Sequence, residues 1–253
     1  MKTALITGAT SGIGRATALL LSRNNYRLIL TGRRKDRLEE LERELSSVCQ
    51  VFVSNFDVRN KKSVNLFWDT LPDSWKRIDV LINNAGLAAG LDPIHTADVD
   101  DWEEMIDTNI KGLLYITRLV SRKMIERSTG HIVNVSSIAG KEAYPNGSVY
   151  CATKHAVNAI SKAQRIELLP HNVKVSTISP GAVDTEFSLI RFKQNHEKAN
   201  QVYDGFIPLD ANDVAEAILF IITRPPHVNI DDMLIMPTAQ GTARDIHRNK
   251  KQI

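Results

Sequence analysis

Ala4-Leu5-Ile6-Thr7-Gly8-Ala9-Thr10-Ser11-Gly12-Ile13-Gly14-Arg15 stands near the start of the chain, and the rest of the sequence is read outward from it. A short apolar run ends in Thr7 and Gly8, and helical spacing follows through Leu19, Leu20 and Leu21. The glycines are spaced G-x-x-x-G-x-G rather than the G-x-G-x-x-G of the dinucleotide fingerprint, but the physical demands are shared. Gly8 permits a tight turn off a strand, Gly12 lets backbone N–H groups approach a pyrophosphate, and Gly14 allows a helix to pack closely. Thr10, Ser11 and Ile13 complete the loop and join the three glycines as candidate phosphate-binding positions.

The same strand, loop and helix unit repeats downstream. Leu28-Ile29-Leu30, Val51-Phe52-Val53, Val80-Leu81-Ile82, Ile132-Val133-Asn134-Val135, Val173-Lys174-Val175 and Met233-Leu234-Ile235-Met236 are short apolar runs, and helical stretches such as Lys35 to Leu45 separate them. Continuous runs of this length mark strands buried on both faces, as in a parallel sheet covered by helices. Their alternation with helices predicts an α/β fold: a doubly wound, Rossmann-type parallel sheet with helices on both faces. A length of 253 residues fits a single domain, and no internal boundary is visible. The stretch from Phe187 to Leu209 breaks the rhythm, being polar and helical after Pro180-Gly181. It falls at the carboxyl edge of the sheet, which predicts a substrate lid at about 187–209. The last dozen residues lack apolar periodicity and suit either a tail or a subunit contact.

Hydrophobic residues make up 43% and charged residues 24%, which excludes a disordered, collagen-like or coiled-coil chain. The net charge of +3 is too small to indicate a nucleic acid partner, and the basic balance mainly reflects Arg248, Lys250 and Lys251 near the end. Two cysteines, Cys49 and Cys151, form no CxxC, and no histidine pair has ligand spacing, so neither a disulfide framework nor a metal site is expected. No apolar run is long enough for a signal segment or a membrane span, and a reducing, cytoplasmic location is expected.

The second strand ends Leu30-Thr31-Gly32-Arg33-Arg34. An NAD-selective site needs an acid about 20 residues past the glycine loop to hold the ribose hydroxyls. Gly32 and two arginines stand there instead. A guanidinium pairs with a 2′-phosphate in charge-assisted, often bidentate fashion, where a carboxylate would repel it, so Arg33 and Arg34 point to NADP. Their alternative role is to begin a charged surface helix. Asp57-Val58, after the third strand, is the place for contacts to the adenine, although an Asp at a strand end often only caps.

Tyr150 and Lys154 lie four residues apart in helical sequence, which puts both on one face. Ser137 stands 13 residues before Tyr150, just past a strand, and Asn109 lies on an earlier helix. Ser136-Ser137 also suits a helix cap. Together, in this order and after a nucleotide loop, these residues resemble the short-chain dehydrogenase/reductase family. The matching pieces are Thr7-Gly8-x3-Gly12-x-Gly14, Asn83-Asn84-Ala85-Gly86, Asn109, Ser137, Tyr150-x3-Lys154 and Pro180-Gly181-x3-Thr185.

The resemblance implies a catalytic set of Asn109, Ser137, Tyr150 and Lys154. Tyr150 would be the base for the substrate hydroxyl, with Lys154 and the positive nicotinamide favouring phenolate, and a shift of about 3 units corresponds to about 4 kcal/mol. Lys154 would also bond the nicotinamide ribose, Ser137 would hold the reacting oxygen, and Asn109 would anchor a water relay from Lys154 to solvent. Asn84, Ala85 and Gly86 would support the cofactor side of the sheet. Pro180, Gly181, Val183 and Thr185 would line the nicotinamide end, with Thr185 bonding the carboxamide. A homotetramer built on two long helices, Asp100 to Met124 and Ser148 to Leu168, is implied as well. The stripe Leu113, Ile116, Leu119 and Val120 fits that interface, or equally the protomer's own sheet.

Further stretches are similar to the 3-hydroxy acid dehydrogenase branch, the serine and L-allo-threonine dehydrogenase type. These are Asp101-Trp102-Glu103, Met105-Ile106-Asp107-Thr108-Asn109, Glu186-Phe187-Ser188, Arg191-Phe192-Lys193 and Pro226-His227-Val228-Asn229-Ile230. This branch implies oxidation of the 3-hydroxyl of small hydroxy acids. A carboxylate substrate calls for a cation, and Arg191 in the lid is the candidate, with a solvated surface arginine as the alternative and Lys141 as a weaker choice. Cys151 points about 100° away from Tyr150 on the helix and suits a small core position. A carbonyl reductase for neutral or sugar-like substrates shares the catalytic set. A non-catalytic NADP(H)-binding regulator has no need of it.

Overall fold

The structure is a computed structural model and describes residues 1–249, so Lys250 and Lys251 lie outside the described residues. Seven parallel strands form one sheet: β1 (Lys2–Thr7), β2 (Tyr26–Gly32), β3 (Val51–Asn55), β4 (Val80–Asn83), β5 (Gly130–Val135), β6 (Val173–Pro180) and β7 (Asp232–Ile235). Their order across the sheet is β3-β2-β1-β4-β5-β6-β7. The chain winds outward from β1 in one direction and from β4 in the other, so the strand order reverses between them. In such sheets the crevice outside the carboxyl ends of the strands at that reversal receives ligands. The loop after β1 is the glycine loop, and the loop after β4 is Asn84-Ala85-Gly86.

Side-chain alternation along each strand explains the continuous apolar runs. Ala4 and Ile6 of β1 face one core with Leu28 and Leu30 of β2, covered by α1 (Gly12–Ser22), α2 (Lys35–Leu45) and α9 (Ala211–Ile222). Leu5, Ile29, Leu81 and Ile132 face the other, covered by α3 (Lys61–Thr70) and α5 (Leu113–Glu126). Ala18 and Leu21 of α1 share a cluster with Val214, Ile218 and Ile221 of α9, joining the first and last long helices.

The helix expected from Asp100 to Met124 is interrupted. It runs as α4 (Val99–Ile106), a π-type turn (Asp107–Gly112) and α5. Gly112 sits against β3's exit loop so closely that a Cβ there would lie 2.7 Å from Val58 Cγ2. α6 (Ser148–Leu168) forms as expected. Ile116 and Val120 of the α5 stripe are buried on the protomer's own sheet, with Leu119 packed beside them. The 187–209 stretch holds two short helices, α7 (Phe187–Arg191) and α8 (His196–Gln201), linked through Lys193 and Gln194, both with positive φ. The last described stretch folds back on the body. Ala243 N–H donates to Glu142, Arg244 lies over the Tyr144 ring, and Arg248 donates to the carbonyls of Val202 and Asp204. Among the described residues no helix is long and apolar enough to cross a membrane.

Candidate active site

The glycine loop is shaped by contact with β4's exit. Gly8 has φ +66°, and a Cβ there would lie 2.9 Å from Ala85 Cα. Gly14 faces Gly8 across the turn, where an added Cβ would lie 2.3 Å from Gly8 O. Thr7 Oγ1 accepts from the backbone N–H groups of Asn84 and Ala85, and Asn84 Nδ2 donates to Thr7 O and Gly8 O. Behind them Asn83 Nδ2 bonds Thr117 Oγ1 and Asn134 Oδ1, both at 2.8 Å. These bonds hold the carboxyl ends of β1, β4 and β5 in register around one cleft of about 410 Å³.

That cleft collects most of the residues singled out from sequence. Gly8, Thr10, Ser11, Gly12 and Ile13 line one wall, with Arg33, Arg34, Asp57 and Val58 at one end. Asn84, Ala85, Gly86, Ser137, Tyr150, Lys154, Pro180, Gly181, Val183 and Thr185 form the rest. Gly14, Asn109 and Arg191 stand behind the lining. The cleft also takes Ser136, Thr108 and Phe187 from stretches already noted in the sequence, and Phe56, Leu87, Val135 and Ile190, whose types are those of ordinary core. Glu186 lines it too, from the same Glu186-Phe187-Ser188 stretch.

At the arginine end, Arg34 Nε and Nη2 donate to Thr10 Oγ1 and Nη2 also to Ser11 Oγ, while Nη1 pairs with Glu186 at 2.7 Å. Arg33 reaches Glu104 at 3.4 Å from a half-exposed position. Both arginines therefore meet the loop or the cleft, although Arg34 also stands at the start of α2. Asp57 is engaged by its neighbour: its carboxylate accepts from Arg59 Nε and Nη2 and from Arg59 N–H. Burial alone would raise the Asp57 pKa, but the Arg59 hydrogen bonds and charge outweigh it and hold it below the ordinary range.

At the inner end, α6 presents Tyr150 and Lys154, both buried. Lys154 Nζ donates to Val135 O at 3.0 Å and lies 6.0 Å from the Tyr150 ring centre. Ser137 caps the 3-10 turn Ile138–Gly140 by accepting from Ala139 N–H, and it lines the same cleft as Tyr150. Capping and lining the cleft are thus one position. The π-type turn brings Asn109 against Leu87. Its Oδ1 accepts from Leu87 N–H at 2.9 Å, and its Nδ2 donates to Leu87 O and Thr153 Oγ1. Gly86 separates Asn109 from Lys154, since a Cβ there would lie 3.2 Å from Asn109 Oδ1 and 3.4 Å from Lys154 Nζ.

The protein's own groups do not lower the Tyr150 pKa. Burial pushes the phenol above its ordinary value, Tyr144 adds to the rise, and Arg191 and Ser137 only oppose it. Burial also brings Lys154 down to about 8.

Arg191 is no solvated surface arginine. Its guanidinium carbon lies 4.8 Å from the Tyr150 ring centre and 5.6 Å from that of Phe187, its Nη2 donates to Tyr144 Oη at 2.9 Å, and its buried Nε has no partner among the described residues. Lys141 instead pairs with Asp232 away from the cleft. Cys151 is buried in the small apolar cluster beside Tyr150, and both cysteines are free thiols. Among the described residues no group of His, Cys, Asp and Glu side chains is placed to hold a metal ion.

Comparison with known proteins agrees with this geometry. A family model described as short chain dehydrogenase matches residues 2–195. The chain is 45% identical over 247 residues to an NADP-dependent 3-hydroxy acid dehydrogenase of Salmonella typhi, covering 97% of this chain and 99% of that protein. It is 42% identical over 252 residues to an NADP-dependent 3-hydroxy acid dehydrogenase of Schizosaccharomyces pombe, covering 98% and 97%. Among solved structures, the closed form of a serine dehydrogenase complexed with NADP+ superposes with a TM-score of 0.93 at 43% identity, covering 98% of this chain and all of that one. Serine dehydrogenase from Escherichia coli gives a TM-score of 0.83 at 40% identity, covering 94% and 99%.

Proposed function

The chain belongs to the short-chain dehydrogenase family, and from that premise we propose that it is an NADP-dependent oxidoreductase of small 3-hydroxy acids. The observation that carries this reading is a single cleft with the glycine loop and Arg33–Arg34 at one end and Ser137, Tyr150 and Lys154 at the other. The similar proteins named as NADP-dependent 3-hydroxy acid dehydrogenases support both the cofactor and the substrate class. The cofactor fits the residues present. The glycine positions leave room that a Cβ would fill, and two guanidinium groups stand where a 2′-phosphate requires positive charge. Gly8, Thr10, Ser11, Gly12 and Ile13 would hold the pyrophosphate side, with Asp57, Val58 and Asn84–Gly86 along the adenosine side. Pro180, Gly181, Val183 and Thr185 would flank the nicotinamide.

When bound and oxidised, the nicotinamide supplies the hydride acceptor and a positive charge that favours phenolate at Tyr150. Tyr150 Oη takes the proton of the 3-hydroxyl, or returns it to a 3-keto oxygen in reduction. The elevated pKa produced by burial keeps Tyr150 protonated at neutral pH, ready to donate. Ser137 donates its hydroxyl hydrogen to the reacting oxygen and steadies charge developing there. Lys154, held by Val135 O, keeps its ammonium beside the phenol, and its lowered pKa makes it a competent proton carrier near neutrality. Asn109 fixes Leu87 and completes the relay on the far side of Gly86. Arg191 supplies the cation that favours a substrate carboxylate.

Residues 187–209 act as the lid, because Phe187 and Ile190 of α7 line the cleft beside Tyr150. The enzyme is a cytoplasmic homotetramer in this reading, supported by the apolar side chains left exposed at Leu114, Ile166 and Leu169 on or next to α5 and α6. Initial rates followed at the NADPH absorbance band test the central reading. L-serine, L-allo-threonine and 3-hydroxypropionate are compared with neutral alcohols, each with NADP+ and NAD+. Turnover of the carboxylates with NADP+ is expected, and turnover of neutral substrates alone would replace it with a carbonyl reductase.

A further inference from the structure

Between the arginine end of the cleft and the helix covering its inner end stands a carboxylate that neither end uses. Glu186 immediately precedes α7, and its two oxygens go to two arginines from the α2 region. Oε2 accepts from Arg34 Nη1 at 2.7 Å and Oε1 from Arg37 Nη1 at 2.6 Å. Arg34 meanwhile spends its other donors on Thr10 and Ser11, so four of its five N–H groups are engaged. One guanidinium thus ties the glycine loop to the start of α7. Phe187 and Ile190 of that helix line the cleft, and the Phe187 ring lies 5.7 Å from that of Tyr150. Burial alone would push the Glu186 carboxyl up, but the hydrogen bonds and charges of Arg34 and Arg37 prevail and keep it ionised at neutral pH.

We propose that Glu186 is a cofactor-specificity residue, an internal carboxylate that competes with the 2′-phosphate for Arg34 and so couples 2′-phosphate binding to the docking of α7. This inference rests on the NADP reading above. A 2′-phosphate carries about −1.5 to −2 charges and needs donors from the same fork. Two anions on one guanidinium repel, so each lowers the other's affinity, and the penalty is reciprocal. A nucleotide without the 2′-phosphate meets no such rival. With the phosphate on Arg34, Glu186 retains Arg37 alone, and the attachment of α7 loosens.

Calorimetric titration of 2′,5′-ADP and 5′-ADP into the wild type, Glu186→Gln and Asp73→Asn tests this. Asp73 is exposed and pairs with Lys76 far from the cleft, so its variant removes the same charge without touching Arg34. The wild type is expected to prefer 2′,5′-ADP. Glu186→Gln is expected to bind 2′,5′-ADP about three- to ten-fold more tightly, with 5′-ADP binding unchanged and Asp73→Asn like the wild type. In the wild type, 2′,5′-ADP but not 5′-ADP is expected to speed trypsin cleavage at the exposed Lys193 and Lys198, whereas Glu186→Gln is cut rapidly with either or neither. Unchanged or weaker 2′,5′-ADP binding in Glu186→Gln overturns the competition. Equal binding of the two nucleotides by the wild type overturns the NADP reading, and the competition falls with it unless Glu186→Gln creates the preference.

Discussion

Arg191 lies over the face of Tyr150 at 4.8 Å from guanidinium carbon to ring centre, and the Tyr144 hydroxyl fixes it there by accepting from Nη2. A guanidinium held over an aromatic face keeps its charge in place at little entropic cost, which a lysine cannot reproduce. With a carboxylate substrate, Arg191→Ala should lower kcat/KM about 10²-fold, mostly through KM, consistent with loss of a charge-assisted hydrogen bond pair. Neutral alcohols should lose much less, and Arg191→Lys should recover only part of the carboxylate rate. Equal losses for charged and neutral substrates would assign Arg191 to support of Tyr150 rather than to selection of a carboxylate.

Tyr150→Phe removes the proton-transferring oxygen while keeping the ring that Arg191 and Phe187 pack against. Turnover should fall by about 10²–10⁴-fold, with NADP+ affinity by fluorescence titration held within about two-fold. Surviving turnover would mean that another group carries the proton. A non-catalytic NADP(H)-binding protein would show no turnover to lose.

His131 on β5 sets an acid limit on the fold. It is buried, its Nε2 lies 2.8 Å from Ser176 Oγ, and burial, aided by Lys174 and Lys2, brings its pKa down to about 3. The unfolded chain, with an ordinary value of about 6.5, binds the proton first as pH falls. The contribution of the neutral ring is therefore fully present above about pH 6.5 and is lost progressively towards pH 3, with a limit of about 5 kcal/mol. Thermal melts should show a steeper decline of Tm from pH 6.5 to 4 in the wild type than in His131→Gln. Parallel slopes would place the acid sensitivity elsewhere.

Gly14→Ala should destabilise the protein without any change of charge. The new methyl would lie 2.3 Å from Gly8 O and 2.5 Å from Asn84 Nδ2, so the glycine loop or the exit of β4 has to move. Overpacking of this kind costs about 1–3 kcal/mol, or about 3–10 °C in Tm for a chain of this size. NADP+ affinity should fall with it. A Tm within about 1 °C of wild type would show that the loop yields freely.

The strands were legible because both faces of the sheet are covered, which forces apolar residues at consecutive positions such as Leu5 and Ile6. The Tyr150–Lys154 pair was legible because helical period alone puts residues four apart on one face. The π-type turn at Asp107–Gly112 left no such trace, since one extra residue in a turn changes no residue type. The Arg34–Glu186 contact joins residues 152 positions apart, and only the winding of the sheet brings them together. Arg59's hold on Asp57, two residues away, was within local reach, but nothing in the sequence shows which way either side chain turns.

The shared cluster of α1 and α9 has a consequence for biosynthesis. The helix that carries the end of the glycine loop finds its partner only when Ala211–Ile222 has been translated. At about 5–20 residues per second, some 200 residues of synthesis keep the apolar face of α1 waiting for roughly 10–40 s. The nascent chain thus lacks the α9 side of this cluster through most of its elongation, so a ribosome pause or a stop codon before Ala211 leaves the apolar surface that α9 covers open for chaperones and proteases to act on.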